Sequence, residues 1–169
     1  DIFAGLLDLN HFPSHEEALA ELSDDPDCRF VQLKSGKLFD KLAFSKRIAI
    51  TLETVLADAE LRGSEASKHA WVNLCGLGLG VWAVSKTVQS RLFVQTAATV
   101  IASLSLPHID DVCFQYFDAV AQSDSVRDGA ELKDRDGHAV RVHFRDSQPA
   151  TRLEKRTQLL VSTYAWDGN

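Results

Sequence analysis

Apolar and polar positions along the chain predict alternating helices and strands. Ser14-His15-Glu16-Glu17 has the form of a capping box, in which the Ser14 hydroxyl accepts from the Glu17 amide and the Glu17 side chain reaches back. A short helix starts there, runs to about Leu22 and stops before the polar turn Ser23-Asp24-Asp25-Pro26-Asp27. Cys28-Arg29-Phe30-Val31-Gln32-Leu33 alternates with period two and reads as a strand. After Ser35-Gly36, residues Phe44, Ile48, Leu52, Val55, Leu56 and Ala59 share one face of a longer helix, with Lys46, Arg47, Glu53, Asp58 and Glu60 on the other. A basic turn and a glycine, Arg62-Gly63, mark its expected end.

The middle of the chain is more apolar. Ala70 to Cys75 predicts a short buried strand running into Gly76-Leu77-Gly78-Leu79-Gly80-Val81-Trp82. A helix from about Val88 to Leu104 follows, with Leu92, Phe93, Ala97, Val100, Ile101 and Leu104 inward. Pro107 separates it from a strand over Asp111 to Phe117. Strands alternating with helices in this order predict an α/β fold with a largely parallel sheet. Residues 121–156 are more polar, and Ala130 to Arg145 reads as a hairpin turning at Asp136-Gly137. In its second arm Val140, Val142 and Phe144 face one way, and Arg141, His143 and Arg145 the other. This hairpin is read as an amphipathic insertion or an edge hairpin. The last apolar run, Leu159 to Ala165, is a buried strand leading into Trp166-Asp167-Gly168-Asn169.

Composition narrows the class. With 169 residues, 45% hydrophobic and 25% charged, the chain can bury a full core without metal or disulfide staples. No apolar run is long enough to span a bilayer, so no membrane partner is expected. The net charge of −6 is concentrated in residues 1–40, where nine acids stand against Arg29, Lys34 and Lys37. Polymeric nucleic acid, which selects basic stripes, is therefore disfavoured as a partner. A compact nucleotide remains compatible, because backbone amides hold a diphosphate without Lys or Arg. Cys28, Cys75 and Cys113 are far apart in apolar stretches, which fits buried, reduced thiols in a reducing, cytosol-like compartment. No histidine has ligand-like spacing, so no metal is expected, and no cofactor is expected beyond a bound ligand. The chain opens on Asp1 and contains no Met, so it reads as a piece of something longer or as a processed chain. The expected organisation is an acidic arm with a short helix over residues 1–27 and an α/β domain over 28–169, with the hairpin insertion at about 121–156 and a C-terminus cut short.

Two loops carry candidate chemistry. Glycines at 76, 78 and 80 expose amides at the carboxyl end of a strand, where α/β sheets bind ligands. The loop is neither a P-loop nor a Rossmann fingerprint, so it serves either a phosphate or close packing. Asp167 and Asn169 stand on a second turn, where they either read ribose hydroxyls and orient a water or form a solvated Asx turn. If the sheet is parallel there, both loops open on the same edge. Asp110-Asp111 are expected ahead of their strand, at the opposite end. Arg141, His143 and Arg145 form either a grip for phosphate or, as the preferred reading, a solvated strand face, and Lys41, Lys46 and Arg47 are read as surface charge.

Gly78-Leu79-Gly80-Val81-Trp82 after a hydrophobic strand resembles the diphosphate loop of macrodomains. Taken with Ala165-Trp166-Asp167-Gly168-Asn169, the stretch from Gly76 to Trp82 is similar to the divergent macrodomain group of the bacterial effector MavL and its eukaryotic relatives. The resemblance implies a three-layer α/β/α domain that binds ADP-ribose, free or on modified proteins, and hydrolyses ADP-ribosyl linkages, with arginine as one such linkage. It implies that Gly76, Leu77, Gly78, Leu79, Gly80, Val81 and Trp82 line the diphosphate and distal ribose. Asp167, Gly168 and Asn169 would stand near that ribose, with Asp167 as acid or base. A binding module without turnover is the alternative. In ordinary macrodomains the Asn-bearing loop precedes the glycine loop, whereas here it follows, so the mapping implies a rearranged group. That group also continues past Asp-Gly-Asn with further Gly, Asn and Glu residues. The triple-glycine, paired-Glu signature of poly(ADP-ribose) glycohydrolases is absent.

Overall fold

A computed structural model describes Gly5, Leu7 and residues 9–148 and 150–163. Its contacts divide the chain into two compact units, Asp1–Ile50 and Thr51–Asn169.

In the first unit, helix α1 (His15–Asp24) starts at the expected capping box: Glu17 N–H donates to Ser14 Oγ at 3.2 Å, and Ser14 N–H donates to the Glu17 carboxylate at 2.6 Å. Strands β1 (Phe30–Gln32) and β2 (Leu38–Asp40) pair antiparallel. The second of these strands was not expected. Its signal is Gly36, which at φ +80° supplies the left-handed turn that folds Leu38 back onto Gln32. Ala18, Cys28 and Phe30 form a small core, with Leu22 and Leu38 packed against it. Asp40 pairs with Arg29 at 2.9 Å and accepts from the Ala43 amide at 2.9 Å, so it caps the start of helix α2 (Lys41–Ala66).

Helix α2 runs past the stop expected at Gly63. It closes instead at Ser67, whose φ of +50° lets Lys68 N–H reach Gly63 O (2.9 Å) and Ser67 N–H reach Ser64 O (3.1 Å). Gly63 is needed for space: a Cβ there would meet His108 Cβ at 2.9 Å and two backbone oxygens at 3.0 Å. A helical glycine followed by a serine cap cannot be told from a C-terminal glycine by pattern alone.

The second unit is built on a five-stranded sheet in the order β5-β6-β4-β3-β7, comprising β3 (Ala70–Cys75), β4 (Ile109–Gln115), β5 (Glu131–Lys133), β6 (Ala139–Arg145) and β7 (Leu159–Ser162). β3, β4, β6 and β7 run parallel, and only β5 is antiparallel, at the edge of its hairpin with β6. The hairpin turns at Gly137 (φ +88°) as expected, and β6 lies inside the sheet, in register with β4. Helix α3 (Lys86–Ser103) connects β3 to β4. The fold is thus α/β with a mixed, mostly parallel sheet, of the macrodomain-like kind that the resemblance implies.

Register sorts the side chains. Val72, Leu74, Val112, Phe114, Val140 and Val142 are fully buried on one face. Phe114 meets Phe93 of α3 edge-on at 6.5 Å, with Phe117 and Phe144 at 5.3 and 5.0 Å. Each such phenyl ring contributes roughly 1.5–3 kcal/mol by leaving water. Trp71, Asn73, Asp111, Gln115, Arg141, His143 and Arg145 line the other face, where residues 147, 148, 151–155 and 158 also border the same cavity.

Asp134 ties the hairpin turn to the end of α3. Its carboxylate accepts from the amides of Leu106 (2.8 Å), Asp136 (2.9 Å) and His138 (2.8 Å). Burial opposes its ionisation, but the three amides outweigh that and hold the carboxyl below the usual aspartate range.

Two stability predictions follow from this packing. Gly63→Ala should lower stability by about 1–3 kcal/mol through overpacking, although the same change in an exposed helix would raise it by about 1 kcal/mol; the urea midpoint gives the sign. Asp134→Ala strands the buried Leu106 amide and should cost about 1–3 kcal/mol at neutral pH. Because the folded-state pKa is depressed, the wild-type advantage should be complete above about pH 5 and shrink as pH falls through the depressed value. Urea melts of both chains across that range check it.

Candidate functional site

The four parallel strands point their carboxyl ends at one edge, and the glycine loop leaves β3 at that edge. Its three glycines serve different ends. Gly78 adopts φ +74°, which favours glycine. At Gly76 a Cβ would lie 2.8 Å from Leu79 Cδ1, and Leu79 is the loop's buried anchor. At Gly80 a Cβ would meet nothing within 4 Å, so the backbone there faces open space.

Hydrogen bonds fix the loop at both ends and leave its crest free. Leu77 N–H donates to Cys75 O, and Leu79 N–H to Gly76 O. Beyond the crest, Gln89 of α3 accepts from the amides of Val84 (2.8 Å) and Ser85 (2.9 Å) and donates to Gly78 O (3.4 Å). Gln89 is buried, and sequence reasoning missed it; the available signal was a polar residue on the inward face of an apolar helix. Among the described residues the amides of Gly78, Gly80, Val81 and Trp82 make no hydrogen bond. Val81 and Trp82 are 90% and 79% exposed. The result is a row of free N–H groups just ahead of the N-terminus of α3, an arrangement suited to an anion.

Other segments meet the same edge. After β4, Tyr116 adopts φ +59° while its backbone N–H donates a hydrogen bond to Arg145 O (3.0 Å), and the residue is exposed. Asp118 pairs with Lys86 at the start of α3 (3.2 Å). After β7, Thr163 is pinned to β3: its amide donates to Asn73 O (2.9 Å), and its hydroxyl accepts from Cys75 N–H (2.8 Å). Cys75 is the residue immediately before the glycine loop, so β7 delivers the chain to the expected edge. Trp166, Asp167, Gly168 and Asn169, the second loop of the expected site, lie outside the described residues.

The opposite, polar face of the sheet holds a cavity of about 410 Å³. Asp111 is not ahead of its strand; it sits within β4, towards the amino end, and is buried. It accepts from Gln158 Nε2 at 2.6 Å and meets His143 Nε2 at 2.7 Å. The His143 ring stacks on Trp71 at 4.3 Å, and Trp71 Nε1–H donates to Asn73 Oδ1 at 2.8 Å. Burial pushes the Asp111 carboxyl up, but the His143 and Gln158 hydrogen bonds and the charges of His143 and Lys155 hold it below its usual range. The face carrying Arg141, His143 and Arg145 is therefore not simply a solvated strand face, because His143 is largely enclosed. Period-two alternation identifies the face but not what covers it. Cys28 and Cys113 are buried, Cys75 is half-buried, and all three thiols are free. Burial, reinforced by Asp128 and Asp111 against the opposing Arg145, pushes the Cys113 thiol up to about 12, so it stays protonated and is no nucleophile at neutral pH.

A family model described as "ADP-ribosylhydrolase MavL-like" matches residues 8–169. Two relatives come from Drosophila melanogaster. "ADP-ribosylarginine hydrolase CG3568" is 35% identical over 146 residues, covering 83% of this chain and 28% of the relative. "ADP-ribosylarginine hydrolase CG2909" is 32% identical over 139 residues, covering 78% and 27%. The chain thus spans less than a third of the length of these relatives.

Proposed function

The chain belongs to the MavL-like ADP-ribosylhydrolase family, and from that membership we propose that it forms the ligand-holding part of an enzyme that removes ADP-ribose from arginine side chains of modified proteins. The observation that carries this reading is the crest of the glycine loop, with four amides that have no partner among the described residues, in front of a helix N-terminus. In this reading the amides of Gly78, Gly80, Val81 and Trp82 take the oxygens of the ADP-ribose pyrophosphate. No lysine or arginine is needed for that, which suits a chain of net charge −6. The exposed Trp82 ring packs on the distal ribose, while Gly76 and Leu79 hold the loop in shape and Leu77 completes its turn.

The chemistry asked of such a site is hydrolysis of the bond between the anomeric carbon of that ribose and the arginine guanidino nitrogen. Water attacks the anomeric carbon as the C–N bond breaks, and the released guanidino group takes up a proton. Asp167 orients the water and accepts its proton, with Gly168 and Asn169 shaping the turn that presents it to the ribose hydroxyls. A positioned acid or base of this kind is worth about 10²–10⁴ in rate, and fixing the diphosphate contributes through orientation. Support comes from β7, which brings the chain to Thr163 beside Cys75, only four residues before Asp167. The arginine linkage rests on the activity named for the two fly proteins.

The reading is checked by calorimetry with ADP-ribose against AMP, and by release of ADP-ribose from an ADP-ribosylarginine protein. ADP-ribose should bind and AMP should fail to match it. Gly80→Glu should abolish binding by like-charge repulsion while leaving the fold intact, because a side chain at Gly80 meets nothing. Asp167→Ala should keep binding within a few-fold and lose release by about 10²-fold or more. Equal loss of binding and release in Asp167→Ala would sink the catalytic assignment and leave a binding module. Full binding in Gly80→Glu would remove the diphosphate from the loop.

A further inference from the structure

We propose that the polar face of the sheet holds a second anion site, separate from the glycine loop, which takes the phosphate group of a small molecule. Among the described residues the cavity there is lined by Arg141, Arg145, Arg152 and Lys155 against Asp111 and Glu154. That local excess of positive charge stands out in a chain of net −6.

The charges differ in how they are spent. Arg141 is paired with Glu131 at 3.2 Å. Asp111 is hydrogen-bonded to His143 and Gln158, at 2.7 and 2.6 Å, and keeps its negative charge within the cavity. Among the described residues Arg145, Arg152 and Lys155 form no ion pair. Arg145 comes from β6, and Arg152 and Lys155 from the segment after it, so two separate stretches present cations to one concavity. Uncompensated cations around a concave, partly desolvated space attract an anion more strongly than the same charges on a flat surface. Two guanidinium forks also match the oxygen geometry of phosphate.

The floor of the cavity is built rather than accidental. Asn73, Trp71, His143 and Asp111 are locked to one another by hydrogen bonds and a ring stack, which leaves a polar base beneath the exposed cationic side chains. At about 410 Å³ the space exceeds a lone inorganic ion and fits a small phosphorylated molecule. The inference does not rest on the hydrolase reading, since none of these residues belongs to the glycine loop.

Indole N–H resonances in a ¹H–¹⁵N spectrum provide the test. Trp71 reports the cavity and Trp82 the loop, each assigned by its Trp→Phe substitution. Titrations use inorganic phosphate and ribose 5-phosphate, in the Gly80→Glu background so that the loop cannot contribute. A saturable shift at Trp71 with ribose 5-phosphate supports a phosphorylated small molecule, and one with inorganic phosphate alone supports the free anion as the ligand. Arg145→Ala/Arg152→Ala should weaken either by about tenfold or more, and both side chains are exposed enough to spare the fold. No saturable shift at Trp71, or a shift unchanged in the double variant, overturns the proposal. In the wild-type background, an ADP-ribose shift confined to Trp82 would support the loop reading while refuting a cavity site for that ligand, so the two readings fail separately.

Discussion

The parallel register of β3, β4, β6 and β7 is the constraint on which the rest depends. Each parallel pair places residue against residue, so that Val72, Val112 and Val142 stack on one face while Trp71, Asp111 and Arg141 stack on the other. A slip by one residue would exchange the faces, burying guanidinium groups under α3 and exposing the Phe93–Phe114 contact. The same parallelism sends every connection after a strand to a single edge. The glycine loop, Tyr116 and Thr163 meet there although they are far apart in the chain. One geometric rule thus makes the core, the polar cavity and the loop edge together.

Much of this was legible in the sequence, because periodicity and capping are local. The Ser14 capping box, the Ala70–Cys75 strand, the Asp136-Gly137 turn and the alternation in β6 each rest on a few neighbouring residues. What escaped depends on partners distant in the chain. Gly63 reads as a stop signal until His108, 45 residues away, is seen pressed against it. Asp111 reads as part of a polar lead-in because its acceptance by His143 and Gln158 requires β6 and the segment before β7 to be in place. Gln89 hides for the same reason: its clamp on Val84 and Ser85 exists only once the loop has turned. The glycine loop itself was found, but the separate duties of its three glycines were not, since spacing cannot distinguish a positive φ from a close approach or an open crest.

Electrostatics divides the molecule in a way that net charge conceals. The excess acid lies in the first forty residues, whereas the second unit carries cations on the polar sheet face and amide dipoles on its carboxyl edge. These two kinds of positive potential are not equivalent. Side-chain cations are screened by salt over about 10 Å and rearrange as they bind, while backbone amides are fixed, uncharged and oriented before any ligand arrives. A site made of amides therefore loses little to ionic strength and needs no reorganisation, and it discriminates by shape more than by charge. A site made of Arg145, Arg152 and Lys155 would be stronger at low salt and more permissive.

The exposed crest of the loop is where the structure departs most from what stability alone would select. Val81 and Trp82 stand in water, although burying side chains of that size is worth about 1.5–3 kcal/mol each. The amides beside them make no hydrogen bonds among the described residues. A loop chosen only for packing would fold both side chains down and pair those amides with nearby carbonyls, and Gly80 has the conformational freedom to allow it. Instead the buried Gln89 carboxamide and the Leu79 anchor hold the loop open from both ends. Ordering such a loop in advance removes a cost that a flexible one would meet on binding. The rigid supports and the unsatisfied crest are therefore one feature: the first makes sense only if something else completes the second.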